Sequence, residues 1–144
     1  MDINSISVTG IETERVAPTR AHYLPANSMF GLHAASSEIM SAYDTLGVYL
    51  VGSCLSRRDY RDVDVRAIME DEEFDKAFPH NPNGVVPNTR PLFMLSCLSI
   101  SLWFKELSGL PVDFQFQKQS IANARHKGPR NALGHYRWTG DATD

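Results

Sequence analysis

The spacing of apolar positions changes along the chain, and each change marks an element. Residues 1 to 33 show no sustained period and contain Gly10, Pro18, Pro25 and Gly31. They read as an arm with one short strand, Ser5 to Thr9. From Ser36 onward Ile39, Ala42, Tyr43 and Leu46 fall at i, i+3, i+4 and i+7. This predicts a helix that Ser36 or Ser37 caps and Gly47 closes. Val48 to Val51 is a short β-branched and aromatic run ending at Gly52-Ser53, the pattern of a buried strand.

Beyond the polar connection Cys54 to Arg61 lies Asp62-Val63-Asp64-Val65-Arg66-Ala67-Ile68-Met69, whose start alternates acid with valine. A strand here puts Asp62 and Asp64 on one face and Val63 and Val65 on the other. Glu70 to Phe78 suits one or two helical turns, and Pro79, Pro82, Gly84 and Pro87 then enforce a loop. Pro91 suits the first turn of a second helix. Leu95, Leu98 and Leu102 continue it to Leu107, and Gly109 with Pro111 stops it. The series Leu92 to Leu107, with Phe93, Trp103 and Phe104, is expected to face the core. In Val112-Asp113-Phe114-Gln115-Phe116-Gln117 alternation returns, with Asp113, Gln115 and Gln117 on one face. The order helix, strand, strand, helix, strand predicts an α+β (α/β) fold, a small mixed sheet with helices packed against it. The expected organisation is an arm, 1–33, and a single domain, 34–144.

Composition agrees with one folded unit. The 144 residues are 42% hydrophobic and 22% charged, with a net charge of -3, which excludes collagen, coiled coil and wholesale disorder. The weakly polar run Pro91 to Phe104 is shorter than the roughly 18 residues that cross a bilayer. The segment Met1 to Ser5 lacks the basic and apolar regions of a signal peptide. No membrane association and a cytoplasmic location are therefore expected. Cys54 and Cys97 are too few for a disulfide framework, and His22, His33, His80, His126 and His135 show no zinc-type spacing. The segment 118–140 is basic, with Lys118, Arg125, Lys127, Arg130 and Arg137 and no acid before Asp141. Those cations, with Tyr136 and Trp138 for stacking, suit contact with a nucleic-acid substrate, whereas the negative whole chain argues against general nucleic-acid binding.

Any one of Asp62, Asp64 and Asp113 is compatible with a surface acid. As a pair, Asp62 and Asp64 repel each other on one strand face and call for a cation. Magnesium takes oxygen ligands and commonly combines one or two carboxylates with substrate phosphates. Asp113 on a neighbouring strand can complete a two-metal site, the arrangement that stabilises both oxygens of an in-line phosphoryl displacement. At Gly52 a phosphate can approach the backbone, and Ser53 offers a hydroxyl and an amide. Arg57, Arg58 and Arg61 add positive charge where a triphosphate would lie.

Taken together, Gly52-Ser53, the spacer and Asp62-Val63-Asp64-Val65 after a helix and an apolar strand, with Asp113 on a later strand, resemble the DNA polymerase β-like nucleotidyltransferase superfamily. The match runs from Ser36 to Gln117. Val112 to Gln117, followed by Ala122-Asn123-Ala124 and Arg130 to Gly134, also looks like small nucleotidyltransferases of bacteriophages. The resemblance implies Asp62, Asp64 and Asp113 as catalytic metal ligands for Mg2+. It also implies Gly52, Ser53, Arg57 and Arg58 as the nucleotide-binding set, for ATP or another nucleoside triphosphate. The implied reaction transfers a nucleoside monophosphate to a hydroxyl or phosphate acceptor, on RNA, protein or a small molecule, and releases pyrophosphate. It would take place in the cytoplasm, that of the host if the chain is viral. The spacer departs from the pattern of many relatives in holding no glycine. The appended helical domain of larger members is also missing, so the basic segment, the arm or a second copy in a homo-oligomer would select the acceptor. Two other readings fit the same residues. One is a catalytically silent, nucleotidyltransferase-like binding protein of antitoxin or adaptor type. The other is a magnesium nuclease, whose common Pro-Asp, Glu-x-Lys pattern is absent.

Overall fold

The computed structural model describes residues 21–83 and 89–134. The expected strand at Ser5 to Thr9 and the residues His135, Tyr136, Arg137 and Trp138 lie outside them. The elements are α1 (Ala26–Ala42), β1 (Gly47–Val51), a 3-10 turn (Ser53–Leu55), β2 (Val63–Met69), α2 (Asp71–Ala77), α3 (Pro91–Ser108), β3 (Val112–Lys118), α4 (Gln119–Arg125) and β4 (Asn131–Leu133). The strands form one mixed sheet in the order β3-β2-β1-β4. β1 is antiparallel to both β2 and β4, and β2 is parallel to β3. The expected class, a small mixed sheet with helices against it, is the one found.

Alternation along the strands decides which side of the sheet is covered. Val48, Leu50, Val63, Val65, Ala67, Phe114, Phe116 and Leu133 point to one face and are buried. That face packs on α1 and α3. An aromatic chain closes the core: Phe104 lies on Phe114 at 5.3 Å, Phe114 on Phe116 at 4.9 Å, and Phe116 on Phe78 at 4.8 Å. The other face carries Asp64, Arg66, Asp113, Gln115 and Gln117, all partly exposed. α4 packs against β2 and β3 through the buried Ala122, and Ile68 is also buried, so one end of this second face is covered.

Three expectations about the helices are corrected. α1 starts at Ala26, not Ser36, because the Pro25 carbonyl receives the Met29 amide at 3.3 Å. Residues 26–33 of the stretch read as an arm therefore belong to a helix, and Ser36 is buried in mid-helix rather than capping it. The helix ends at Ala42, since Tyr43 turns extended and sets its ring 4.7 Å from that of Phe116, and Gly47 begins β1. In the basic segment, Lys118 ends β3, 119–125 form α4 and 131–133 form β4.

The third correction concerns the leucines of α3. Leu92, Leu95, Leu98, Leu102 and Leu107 are exposed, and Trp103 is at 36%. Cys97, Phe104 and Ser108 are the buried positions. α3 approaches α1 closely where Gly31 meets the Leu107 carbonyl, a place without room for a Cβ atom. Its ends fall where the sequence predicts, with Pro91 in the first turn and Gly109 in the left-handed conformation at the C-cap.

Candidate functional site

Two strand pairings assemble the site. The antiparallel register of β1 and β2 sets Val51 opposite Asp64, which brings the following Gly52 onto the Asp64 carboxylate. A Cβ atom on Gly52 would lie 2.5 Å from Asp64 Oδ2, and Gly52 has φ of 82°. Both the contact and the dihedral angle select glycine. The parallel register of β2 and β3 sets Asp64 directly beside Asp113. Gly52, Asp64 and Asp113 therefore meet at one end of the open sheet face.

Arg66, two residues along β2 and on the same face as Asp64, ties the acids together. Its Nη2 stands 3.7 Å from Asp64 Oδ1 and 3.5 Å from Asp113 Oδ2. Its Nη1 donates to the Asp113 carbonyl at 2.6 Å and to the Val65 carbonyl at 3.0 Å. The Arg66 side chain is only 14% exposed, so these bonds fix it in place. Burial raises the pKa of Asp64 above the ordinary aspartate value. Arg66 opposes that rise, and the nearby charges of Asp113 and Asp62 add to it. Beneath the turn, burial pushes the Cys54 thiol up to about 11, and the charge of Asp64 pushes in the same direction. Cys54 is thus an inert core residue.

A groove of about 600 Å³ runs from this end across the open face. Its floor includes Asp64, Arg66, Ile68, Gln115 and Gln117, and its far wall is His126 to Arg130, after α4. Arg130 is held by Asn123 Oδ1 at 3.2 Å and the His126 carbonyl at 3.4 Å. Arg130 was expected among the basic residues suited to substrate contact, whereas His126 had no expected role, and the place of both in the groove depends on how α4 and β4 fold back over β2 and β3. Gln115 and Gln117 were legible, as the continuation of the Asp113 face.

The other expected site residues are placed differently. Asp62 precedes β2 and is exposed. It lines a separate depression of about 440 Å³ with Leu98, Ser101, Leu102 and Lys105. Ser53 opens the 3-10 turn, and its carbonyl accepts the amides of Ser56 and Arg57. Arg57 is turned to Asp59 in a two-bond pair, both bonds 3.0 Å. Arg58 lies over the Tyr23 ring at 5.3 Å. Neither arginine lines the groove. The interaction with Arg57 holds the Asp59 carboxyl below its usual range.

Asp64, which lines the groove, and Asp113, beside it in the strand register but outside the lining, are hard oxygen donors, a pair that fits a divalent cation completed by phosphate oxygens. The three expected acids do not gather into one ligand set: among the described residues no group of three or more His, Cys, Asp or Glu side chains is close enough to hold a metal ion. Arg66 supplies the positive charge that the two acids share. No helix among the described residues is long and apolar enough to cross a membrane. No protein-family model, curated protein or solved structure matches the chain significantly.

Proposed function

We propose that the chain is a magnesium-dependent nucleotidyltransferase working on the open face of its sheet. The observation that carries this reading is the convergence of Gly52, Asp64 and Asp113 through the β1–β2 and β2–β3 registers, with Gly52 and Asp64 lining a groove. In this reading the triphosphate lies in the groove beside Gly52, one of its lining residues, with Ser53 next along the chain. Asp64 and Asp113 would hold Mg2+, and Asp62, one residue ahead of β2, adds negative charge near Asp64. The ion would supply charge neutralisation for the phosphates and polarise the α-phosphorus. Asp113 takes the proton as an acceptor oxygen bonds to that phosphorus. The bond to the β-phosphate oxygen then breaks, and pyrophosphate leaves. Arg66, held between both acids in the groove, presents its charge to the phosphates from that position, and Gln115, Gln117 and Arg130 line the space left for the rest of the nucleotide. Little covalent help is needed, since phosphoryl transfer depends mainly on positioning and charge. The cytoplasm, where nucleoside triphosphates are abundant, is the compartment this activity calls for.

The test is incubation of the chain with each nucleoside triphosphate labelled at the α-phosphate, Mg2+, and RNA, protein or small-molecule acceptors. Pyrophosphate release and labelled acceptor are expected from the native chain, and neither from Asp64→Asn or Asp113→Asn. Activity that survives both substitutions removes these acids from the chemistry. One observation favours a second reading, a catalytically silent binding protein: the Arg66 guanidinium stands within ion-pair distance of both Asp64 and Asp113, where a cation would otherwise balance them. That reading expects nucleotide or partner binding that does not depend on Mg2+.

A further inference from the structure

We propose that the exposed face of α3 is the interface between two copies of this chain. Leu95, Leu98 and Leu102 follow one another at i, i+3 and i+7 and are 63%, 60% and 68% exposed. Leu92 extends the same apolar surface toward the start of the helix and Trp103 toward its end. From Pro91 to Phe104 the helix carries no charged residue. Apolar side chains on its buried and its exposed sides alike are the mark of a helix covered all round.

The exposed side chains of Leu92, Leu95, Leu98, Leu102 and Trp103 amount to roughly 500 Å², the size of the largest apolar patch of an ordinary monomer. That is about the apolar share of the roughly 800 Å² per partner of a standard stable interface. Between Pro91 and Phe104 no charge stands to select a nucleic acid or a charged peptide, and Lys105 and Glu106, which follow, are a pair of opposite sign. An identical stripe does fit. Two antiparallel α3 helices related by a two-fold axis beside Leu98 and Ser99 bring Leu95 of one copy to Leu102 of the other. The small Ser99 leaves room at the axis, and a two-fold contact uses the same patch on both sides. Leu98 and Leu102 also border the depression that contains Asp62, so the second copy would stand next to one of the three candidate acids. The interface follows from the α3 surface alone and holds whether or not the chain transfers nucleotides.

Sedimentation equilibrium of the full chain from low micromolar to near millimolar concentration tests it. The expected mass is that of two 16.1 kDa chains. Leu98→Lys combined with Leu102→Lys, at positions that contribute little to the core, should give the single-chain mass with an unchanged circular dichroism spectrum. The milder pair Leu95→Ala and Leu102→Ala should raise the dissociation constant by about tenfold or more. A native chain with the single-chain mass throughout overturns the proposal, whether residues 1–20 or a different protein then cover the stripe. An unchanged dissociation constant in the alanine pair also overturns it.

Discussion

Asp64 and Asp113 stand side by side in the parallel register of β2 and β3, and Arg66 reaches both, at 3.7 and 3.5 Å. Two carboxylates so placed oppose each other's ionisation, and the cation between them offsets that repulsion. Removing the cation exposes the strain. Arg66→Gln should lower stability by about 1–3 kcal/mol at neutral pH and low salt, the usual cost of losing hydrogen bonds to charged groups. Mg2+ should then stabilise the variant more than the native chain. Urea unfolding with and without the ion measures both, and an unaltered midpoint would make Arg66 a bystander.

The same cluster sets a pH dependence. Asp64 has a raised pKa in the folded chain, chiefly through burial. The folded state therefore binds more protons than the unfolded state above an ordinary aspartate pKa of about 3.9, and stability falls as pH rises from there through the folded value. Asp64→Asn removes that loss. The variant should melt above the native chain at pH 7 without metal, and the difference should shrink toward pH 4. A native chain that melts higher at pH 7 would mean that the Arg66 pairing outweighs burial.

Gly52→Ala forces a Cβ atom against Asp64 at a residue with φ of 82°. A cost of about 1–3 kcal/mol is expected from the left-handed backbone and the contact together. Gly128→Ala, where nothing lies within 4 Å of the added atom, should change stability by less than about 0.5 kcal/mol. Equal effects at the two glycines would show that Gly52 is not constrained by the acid.

Ser101 ties α3 to the edge of the sheet. Its hydroxyl accepts the Phe114 amide at 2.8 Å and lies 3.3 Å from the Phe114 carbonyl, to which it donates. Ser101→Ala should cost about 1–2 kcal/mol, the penalty for leaving a buried amide unpaired. Hydrogen exchange at Phe114 should quicken more than at its neighbours in β3. Unchanged exchange at that amide would show that water replaces the hydroxyl.

The strands were legible because the sheet has one covered face. In β2 and β3 the valines and phenylalanines point to α1 and α3, and the acids and glutamines point the other way, so a period of two is written in the residues. The ends of α3 were legible from Pro91 and Gly109. Its orientation was not, since a helix with leucines on one side and Cys97, Ile100 and Phe104 on the other has no unique apolar face. The start of α1 was hidden because Leu32, Ala35, Ser36 and Ile39 form its buried side, and half of these are small. α4 and β4 are short. The single buried residue of α4 is Ala122, and β4 owes its existence to pairing with β1. In the site, alternation placed Asp62 with Asp64 on one face of a strand and Asp113 with Gln115 and Gln117 on one face of another, and the structure keeps Asp64 and Asp113 together but turns Asp62 to a separate depression. Alternation did not reveal that Arg66 holds both acids, because their closeness comes from the pairing of β2 with β3.

The most direct test of the site is thermal unfolding with each nucleoside triphosphate, with and without Mg2+, on the native chain and on the Asp62→Asn Asp64→Asn double variant. Each protein is compared with its own ligand-free midpoint. A nucleotide at a hundredfold excess over its dissociation constant stabilises the native state by about 2.7 kcal/mol, easily seen as a rise in melting temperature. The account predicts a Mg2+-dependent rise with at least one nucleotide in the native chain and none in the double variant. No rise with any nucleotide, or the same rise in both proteins, would contradict it.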